Sequence, residues 1–432
     1  VYEVVLDLAQ VQNPETIAFA LDNVLSDHPA YSYSGFEEHI FALASQTWIT
    51  GTTTVLAADF VTPEEIEQLK ELAMRYESMP VSKDKNIQQP SLSGVMFRPR
   101  LKRIYPEKDL ASNVLGFVGG NGFGVYGIEE EFNDLLAGEA QTHWVNNIPY
   151  KADTLPDVND GIDLVLTIDR EIQRTVESIL DQALIDSGAE AGTILVMDPE
   201  TGEILAMATT PRIDLNQYYA YDDILSSSDP FNRAVSKFYE PGSVYKVLTM
   251  AAALDSKTVT PETQFVDTGA FYIGGITIRN WNWGAWGTVD MTGCLQHSLN
   301  VCLASLAQMM GPDVFYTYMQ NFGIGHLTGI DLAGEVSGRL KVPGDEDWFD
   351  SDLGTNSFGQ GVSVTPVQML MAVSALANDG QMVAPHLLRS MVDGGRQFTP
   401  TRTIVGMPIT KKTARTLTRM LSVSLIEESS DA

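Results

Sequence analysis

Ser243 and Lys246, in the run Glu240-Pro241-Gly242-Ser243-Val244-Tyr245-Lys246, have the types and spacing for covalent chemistry. A serine hydroxyl is a weak nucleophile until a base takes its proton, and a lysine can be that base when burial penalises its ammonium form. Pro241 and Gly242 signal a turn, and Val247, Leu248, Met250, Ala251 and Leu254 follow at roughly helical spacing. Ser243 is therefore expected in the first turn of a helix, with Lys246 one turn up the same face. The first N–H groups of such a helix lack partners within it and can face a developing oxyanion. Taken alone the tetrad is a weak signal, because an N-cap serine followed by a snorkelling surface lysine accounts for it equally well.

A second polar cluster, His297-Ser298-Leu299-Asn300, interrupts an apolar run from Cys294 to Met310. Residues two apart do not share a helical face, so Ser298 and Asn300 can point into one cleft only from a turn between helices. A hydroxyl and an amide there can relay a proton and hold a substrate amide. His297 beside a serine suggests a triad, against which stands the fact that sequence neighbours point apart. Asn356-Ser357-Phe358-Gly359-Gln360-Gly361 reads as a glycine-framed turn leading, through Val364-Thr365-Pro366, into an apolar helix. Trp281, Trp283 and Trp286 either wall a cleft or, as is commoner at this spacing, belong to a core.

Other segments exclude functions. Gly116 to Gly127 is glycine-rich, but it lacks the Lys-Ser/Thr of a phosphate loop and is followed by Glu129-Glu130-Glu131. Asp345, Glu346, Asp347, Asp350 and Asp352 lack calcium-loop spacing and read as a solvated loop. No Cys/His cluster or His-Glu-x-x-His pattern points to metal, and no motif calls for a cofactor. With 27 Lys+Arg against 56 Asp+Glu, a net charge of -29, the chain lacks the basic surface that nucleic acid requires. The one basic run, Arg98-Pro99-Arg100-Leu101-Lys102-Arg103, either pairs with acidic neighbours or meets an anionic partner or membrane.

The positioning elements are those of a globular protein: 432 residues, 44% of them hydrophobic, allow two or three full-sized cores. Residues 1–155 are of mixed character, with a strand at Val4 to Leu6, a helix starting at Asn13-Pro14-Glu15, and a capping box at Thr62-Pro63-Glu64-Glu65. From 156 the pattern turns to clear α/β signals. These are a strand over Leu164 to Ile168, a helix capped by Asp169 and closed by Gly188, and an antiparallel hairpin of Thr193 to Met197 with Glu203 to Ala208. Cys294 and Cys302 are eight apart on what reads as one helix, too far to bridge, and are expected as buried thiols. The chain opens at Val1 without a methionine, and no apolar run is of membrane-spanning length, so any anchor is expected upstream.

Several motifs then fall in order. Ser243-Val-Tyr-Lys246 is followed about fifty residues later by Ser298-Leu-Asn300, and both elements are signatures of penicillin-binding proteins and related β-lactamases. Together with Leu166-Thr-Ile-Asp169, Met197-Asp-Pro-Glu-Thr-Gly-Glu-Ile-Leu-Ala206, Asn232-Arg233-Ala234, Phe322-Gly-Ile-Gly325, Thr328-Gly-Ile-Asp331 and Ser357-Phe-Gly-Gln-Gly361, the chain resembles a class B penicillin-binding protein along nearly its whole length. Arg103-Ile-Tyr-Pro106, Val114-Leu-Gly-Phe117 and Tyr126-Gly-Ile-Glu129 resemble that family's non-catalytic pedestal.

The resemblance implies an α/β (α+β) transpeptidase domain, antiparallel sheet with helices, over 156–432, preceded by an elongated α+β pedestal over 1–155. Ser243 would be the acylated nucleophile, Lys246 its general base, Ser298 the proton shuttle and Asn300 the holder of substrate peptide. The implied reaction cross-links peptidoglycan stem peptides at D-Ala-D-Ala, and β-lactams would acylate the same serine. It further implies a single-pass membrane anchor upstream, an extracytoplasmic catalytic domain, and as partners a SEDS-type glycosyltransferase with divisome or elongasome membrane proteins. The family's third motif, Lys-Thr/Ser-Gly, is absent: Lys412-Thr413-Ala414 lacks the glycine and lies in a helix-like run. The reading expects a sequence that stops before that strand; literal absence of the strand favours a non-catalytic cell-wall scaffold or β-lactam sensor. A serine β-lactamase must also activate water, and it has no need of a pedestal.

Overall fold

The structure, a computed structural model, describes residues 1–28, 30–46, 53–80, 89–100, 102–138 and 160–424. They form two compact units, Val1–Ile104 and Tyr105–Ala432. The expected junction at 155/156 lies outside the described residues.

In the first unit Tyr2–Asp7 is the central strand of an antiparallel sheet, flanked by Thr54–Val61 and Val95–Pro99. Val4 and Leu6 point from it into a core with Ile17, Leu21, Leu25, Phe36, Ile40, Ile66 and Leu69 from three helices. The expected caps are present. Asn13 accepts from Thr16 N–H ahead of the helix Pro14–Leu25. Thr62 and Glu65 exchange the two bonds of a capping box before Pro63–Glu77, satisfying donors the helix leaves orphaned. In the basic run, Arg100 bonds Asp59 at 2.6 Å and Glu3 at 3.3 Å, the ion-pairing alternative; Leu101 lies outside the described residues.

In the second unit the hairpin Thr193–Met197 with Ile204–Thr209 is sandwiched. Helix Arg170–Ser187, capped by Asp169 and closed by Gly188 at φ 68°, covers one face through Val176 and Leu180. Ile204 and Met207 pack the other face with Val235, Val367 and Leu387. A second antiparallel sheet runs Arg396–Phe398, Leu388–Asp393, Asp163–Leu166. The largest core surrounds helix Lys246–Asp255, whose Leu248, Met250, Ala251, Ala252 and Ala253 are all inaccessible to solvent. A helix apolar on nearly all sides belongs inside, and Asn300–Met310, Pro312–Asn321 and Pro366–Ala377 wrap it.

Three expectations are corrected. Cys294 and Cys302 are disulfide-bonded, with Cα atoms 6.1 Å apart. They lie on two helices, Met291–Gln296 and Asn300–Met310, because the chain breaks between them at Ser298, φ 49°. The tryptophans are not core: Trp281, Trp283 and Trp286 are all exposed, on a loop between two short strand pairs. In the acidic run, Asp350 to Asp352 open the helix Asp350–Asn356, and Asp352 is buried against Lys341 Nζ at 2.8 Å.

The bridge closes a loop of eight residues' separation around Ser298, which by the chain-entropy relation stabilises the fold by about 2.5 kcal/mol. Replacing both cysteines by serine is expected to lower the guanidinium midpoint accordingly; an unchanged midpoint would contradict this.

Candidate active site

Ser243 lies in a single 3-10 turn, Gly242–Tyr245, that runs straight into helix Lys246–Asp255. Its N–H, in the first turn, has no helical partner. Tyr245 is fully buried and anchors the turn from behind.

Lys246 is 2% exposed. Loss of hydration lowers its ammonium to about 7, from an ordinary 10.5. Its Nζ bonds the Ser298 carbonyl at 2.6 Å and the Ser298 Oγ at 2.9 Å. Ser298 Oγ in turn lies 3.1 Å from Ser243 Oγ. The structure thus brings Ser243, Lys246 and Ser298 into one hydrogen-bonded chain with Ser298 in the middle, where spacing in the sequence alone suggested a direct serine–lysine contact.

Ser298 holds this place from the left-handed region, which costs a non-glycine residue about 1–2 kcal/mol. Bonds from Ser298 N–H to Leu295 O and from Leu299 N–H to Cys294 O fix the turn, and the disulfide clamps its two helices. Asn300 is the first residue of the next helix, and its Nδ2 donates to Arg279 O at 3.0 Å. Among the described residues no donor reaches its Oδ1, which is left for a ligand N–H. His297 stacks face to face on Trp286, ring centroids 3.7 Å apart, and no hydrogen bond joins it to Ser243 among the described residues. The triad alternative has no geometric support.

Sequence reading missed how Ser357-Phe-Gly-Gln-Gly361 serves the site. Gly242 N–H donates to Gly359 O at 3.0 Å, Gly361 N–H to Glu240 Oε1 at 2.8 Å, and Thr249 Oγ1 to Ser357 O at 2.8 Å. The turn is bonded to residues on both sides of Ser243. Gly359 has φ 79°, and a Cβ there would run into the backbone of Gly242. The signal was two glycines framing a turn, which says nothing of what docks against it. Gly359→Ala is expected to displace Ser243 and cut its acylation by benzylpenicillin at least tenfold, read by mass spectrometry over time; a full-rate variant would show that the contact does not position the serine.

Comparison with known proteins identifies the family. Residues 192–430 match the penicillin binding protein transpeptidase domain, and residues 1–147 the penicillin-binding protein dimerisation domain. Stage V sporulation protein D of Bacillus subtilis is 33% identical over 353 residues, 80% of this chain and 52% of that protein. Peptidoglycan D,D-transpeptidase MrdA of Escherichia coli is 31% identical over 359 residues, 72% of this chain and 55% of that one. The chain spans about half the length of the curated relatives it matches. Among solved structures, penicillin binding protein 3 of Mycobacterium tuberculosis complexed with ampicillin superposes with a TM-score of 0.65 at 29% identity, covering 78% of this chain and 70% of that one. With a dimerisation domain and a transpeptidase domain in one chain, the protein belongs to the class B penicillin-binding proteins.

Proposed function

We propose that the protein is a peptidoglycan D,D-transpeptidase, a serine acyl-transferase that cross-links stem peptides and is acylated by β-lactams. The observation that carries this reading is a buried lysine amine bonded to the hydroxyl that touches Ser243.

Protonation of Lys246 sets the polarity of that chain. An ammonium only donates, so Ser298 must send its own proton toward Ser243, which leaves the nucleophile as acceptor. As a free amine Lys246 accepts from the Ser298 hydroxyl and Ser298 accepts from Ser243, so both hydroxyl bonds reverse while the amine still donates to the Ser298 carbonyl. Ser243 then attacks the carbonyl carbon of the penultimate D-Ala while its proton moves through Ser298 to Lys246. Return of that proton to the nitrogen of the breaking C–N bond releases the terminal D-Ala. An acceptor amine next attacks the ester carbon, forms the cross-link and restores the serine. In a β-lactam the cleaved C–N bond lies in a ring, so the amine stays tethered and the acyl-enzyme persists. Asn300 holds the peptide by its free Oδ1.

In this reading residues 1–155 are the pedestal and 156–432 the transpeptidase domain. The protein works outside the cytoplasm at the bacterial membrane, held by an anchor that none of the described helices supplies, since none is long and apolar enough to cross a membrane. The Cys294–Cys302 bridge supports an oxidising compartment. A SEDS-type glycosyltransferase and divisome or elongasome membrane proteins are the partners of this reading.

Incubation with benzylpenicillin is expected to give a stable covalent adduct that Ser243→Ala abolishes; no adduct from folded protein would overturn the enzyme reading in favour of a scaffold or sensor. Because the free amine is the active form, acylation should rise as pH increases through about 7 and level off above it. Lys246→Ala should acylate about 100-fold or more slowly and lose that rise. Full-rate acylation by this variant would remove Lys246 from its role.

A further inference from the structure

We propose that Arg279 and Trp283 form a carboxylate-binding subsite for the stem peptide beside Asn300; the identity of the peptide rests on the transpeptidase reading above.

Strand Ile276–Arg279 ends where the Arg279 carbonyl takes the Asn300 amide at 3.0 Å. The chain then enters the loop that carries the three tryptophans. Asn280, 2% exposed, ties that loop down. Its Nδ2 donates to Asp267 Oδ2 at 2.8 Å and to Gly284 O at 3.1 Å, while its Oδ1 accepts from Val301 N–H at 3.2 Å. Trp286 N–H closes the far end on the same Asp267 oxygen at 2.9 Å. Both ends of the loop and the backbone next to Asn300 are thus one hydrogen-bonded block.

On this block Trp283 has φ 60° and is 76% exposed. A bulky side chain in the left-handed region costs backbone energy, and an indole in water leaves apolar surface unburied. Neither is expected of a loop whose only task is to connect two strands. Strain of this kind collects at ligand clamps.

The guanidinium carbon of Arg279 lies 5.6 Å from the centre of the Trp283 ring. A cation held over an aromatic face has fewer orientations open to its planar fork than a free side chain. Among the described residues no carboxylate lies within ion-pairing distance of Arg279, in a chain with 56 acidic and 27 basic residues. A pre-oriented guanidinium with unmatched charge binds a carboxylate bidentately. Its backbone already contacts Asn300, which puts the subsite beside the peptide that Asn300 holds in this reading.

The test is calorimetric titration of the full chain with a soluble pentapeptide ending in D-Ala-D-Ala, carrying γ-linked D-glutamate and meso-diaminopimelate, and with the same peptide amidated at either or both carboxylates. Wild type is expected to bind the free-carboxylate form at least tenfold more tightly than the doubly amidated one. Arg279→Gln should erase that preference and Trp283→Ala should reduce it, both with thermal midpoints close to wild type. The singly amidated peptides identify the carboxylate. Equal binding of all forms by wild type, no binding of any form, or a preference that survives Arg279→Gln each overturn the subsite. Benzylpenicillin acylation of the wild-type chain reports on the transpeptidase reading separately, so the two fail independently.

Discussion

Dehydration of one amine organises the transpeptidase unit. Lys246 sits in a helix whose neighbours Leu248, Met250, Ala251, Ala252 and Ala253 see no solvent. An ammonium placed there loses hydration that its two contacts with Ser298 only partly replace. The large apolar core therefore brings the amine's titration to about 7, and in the proposed reading it serves the chemistry as well as the stability. The helices that wrap Lys246–Asp255 leave Lys246 2% exposed, with Ser298 as its hydrogen-bond partner among the described residues.

The same constraint explains the geometry around Ser298. A serine that must touch both the lysine and the nucleophile cannot stay in helical register with its neighbours, so the chain breaks at φ 49° and restarts at Asn300. The disulfide Cys294–Cys302 and the backbone bonds of the turn hold this unfavourable conformation. Asn280 bonds the start of the next helix at Val301 N–H and also ties down the tryptophan loop, so the two are held through one side chain.

Local signals in the sequence were read correctly where the physics is local. Asn13, Thr62 and Asp169 cap helices because a short polar side chain has only its own helix start to bond, and the Thr193 to Ala208 hairpin follows from alternation around a turn. Ser243, Lys246, Ser298 and Asn300 were visible through their spacing, including the turn that Ser298 and Asn300 need. What stayed hidden depends on tertiary packing. The apolar run from Cys294 to Met310 disguises a helix break, so two bonded cysteines read as thiols of one helix. Asp352 gave no hint of its half-buried partner Lys341, eleven residues upstream. Nor could three tryptophans announce that they face water, since spacing does not tell a strained presenting loop from a core segment.

The disulfide has a consequence for how the molecule is made. These 432 residues hold two cysteines, so within them a single pairing exists and oxidation has no wrong isomer to sample. Such pairing happens where thiols are oxidised, so the turn around Ser298 takes its closed form outside a reducing cytoplasm. With a separation of eight residues it is a local closure, one that does not wait for distant segments such as Pro366–Ala377.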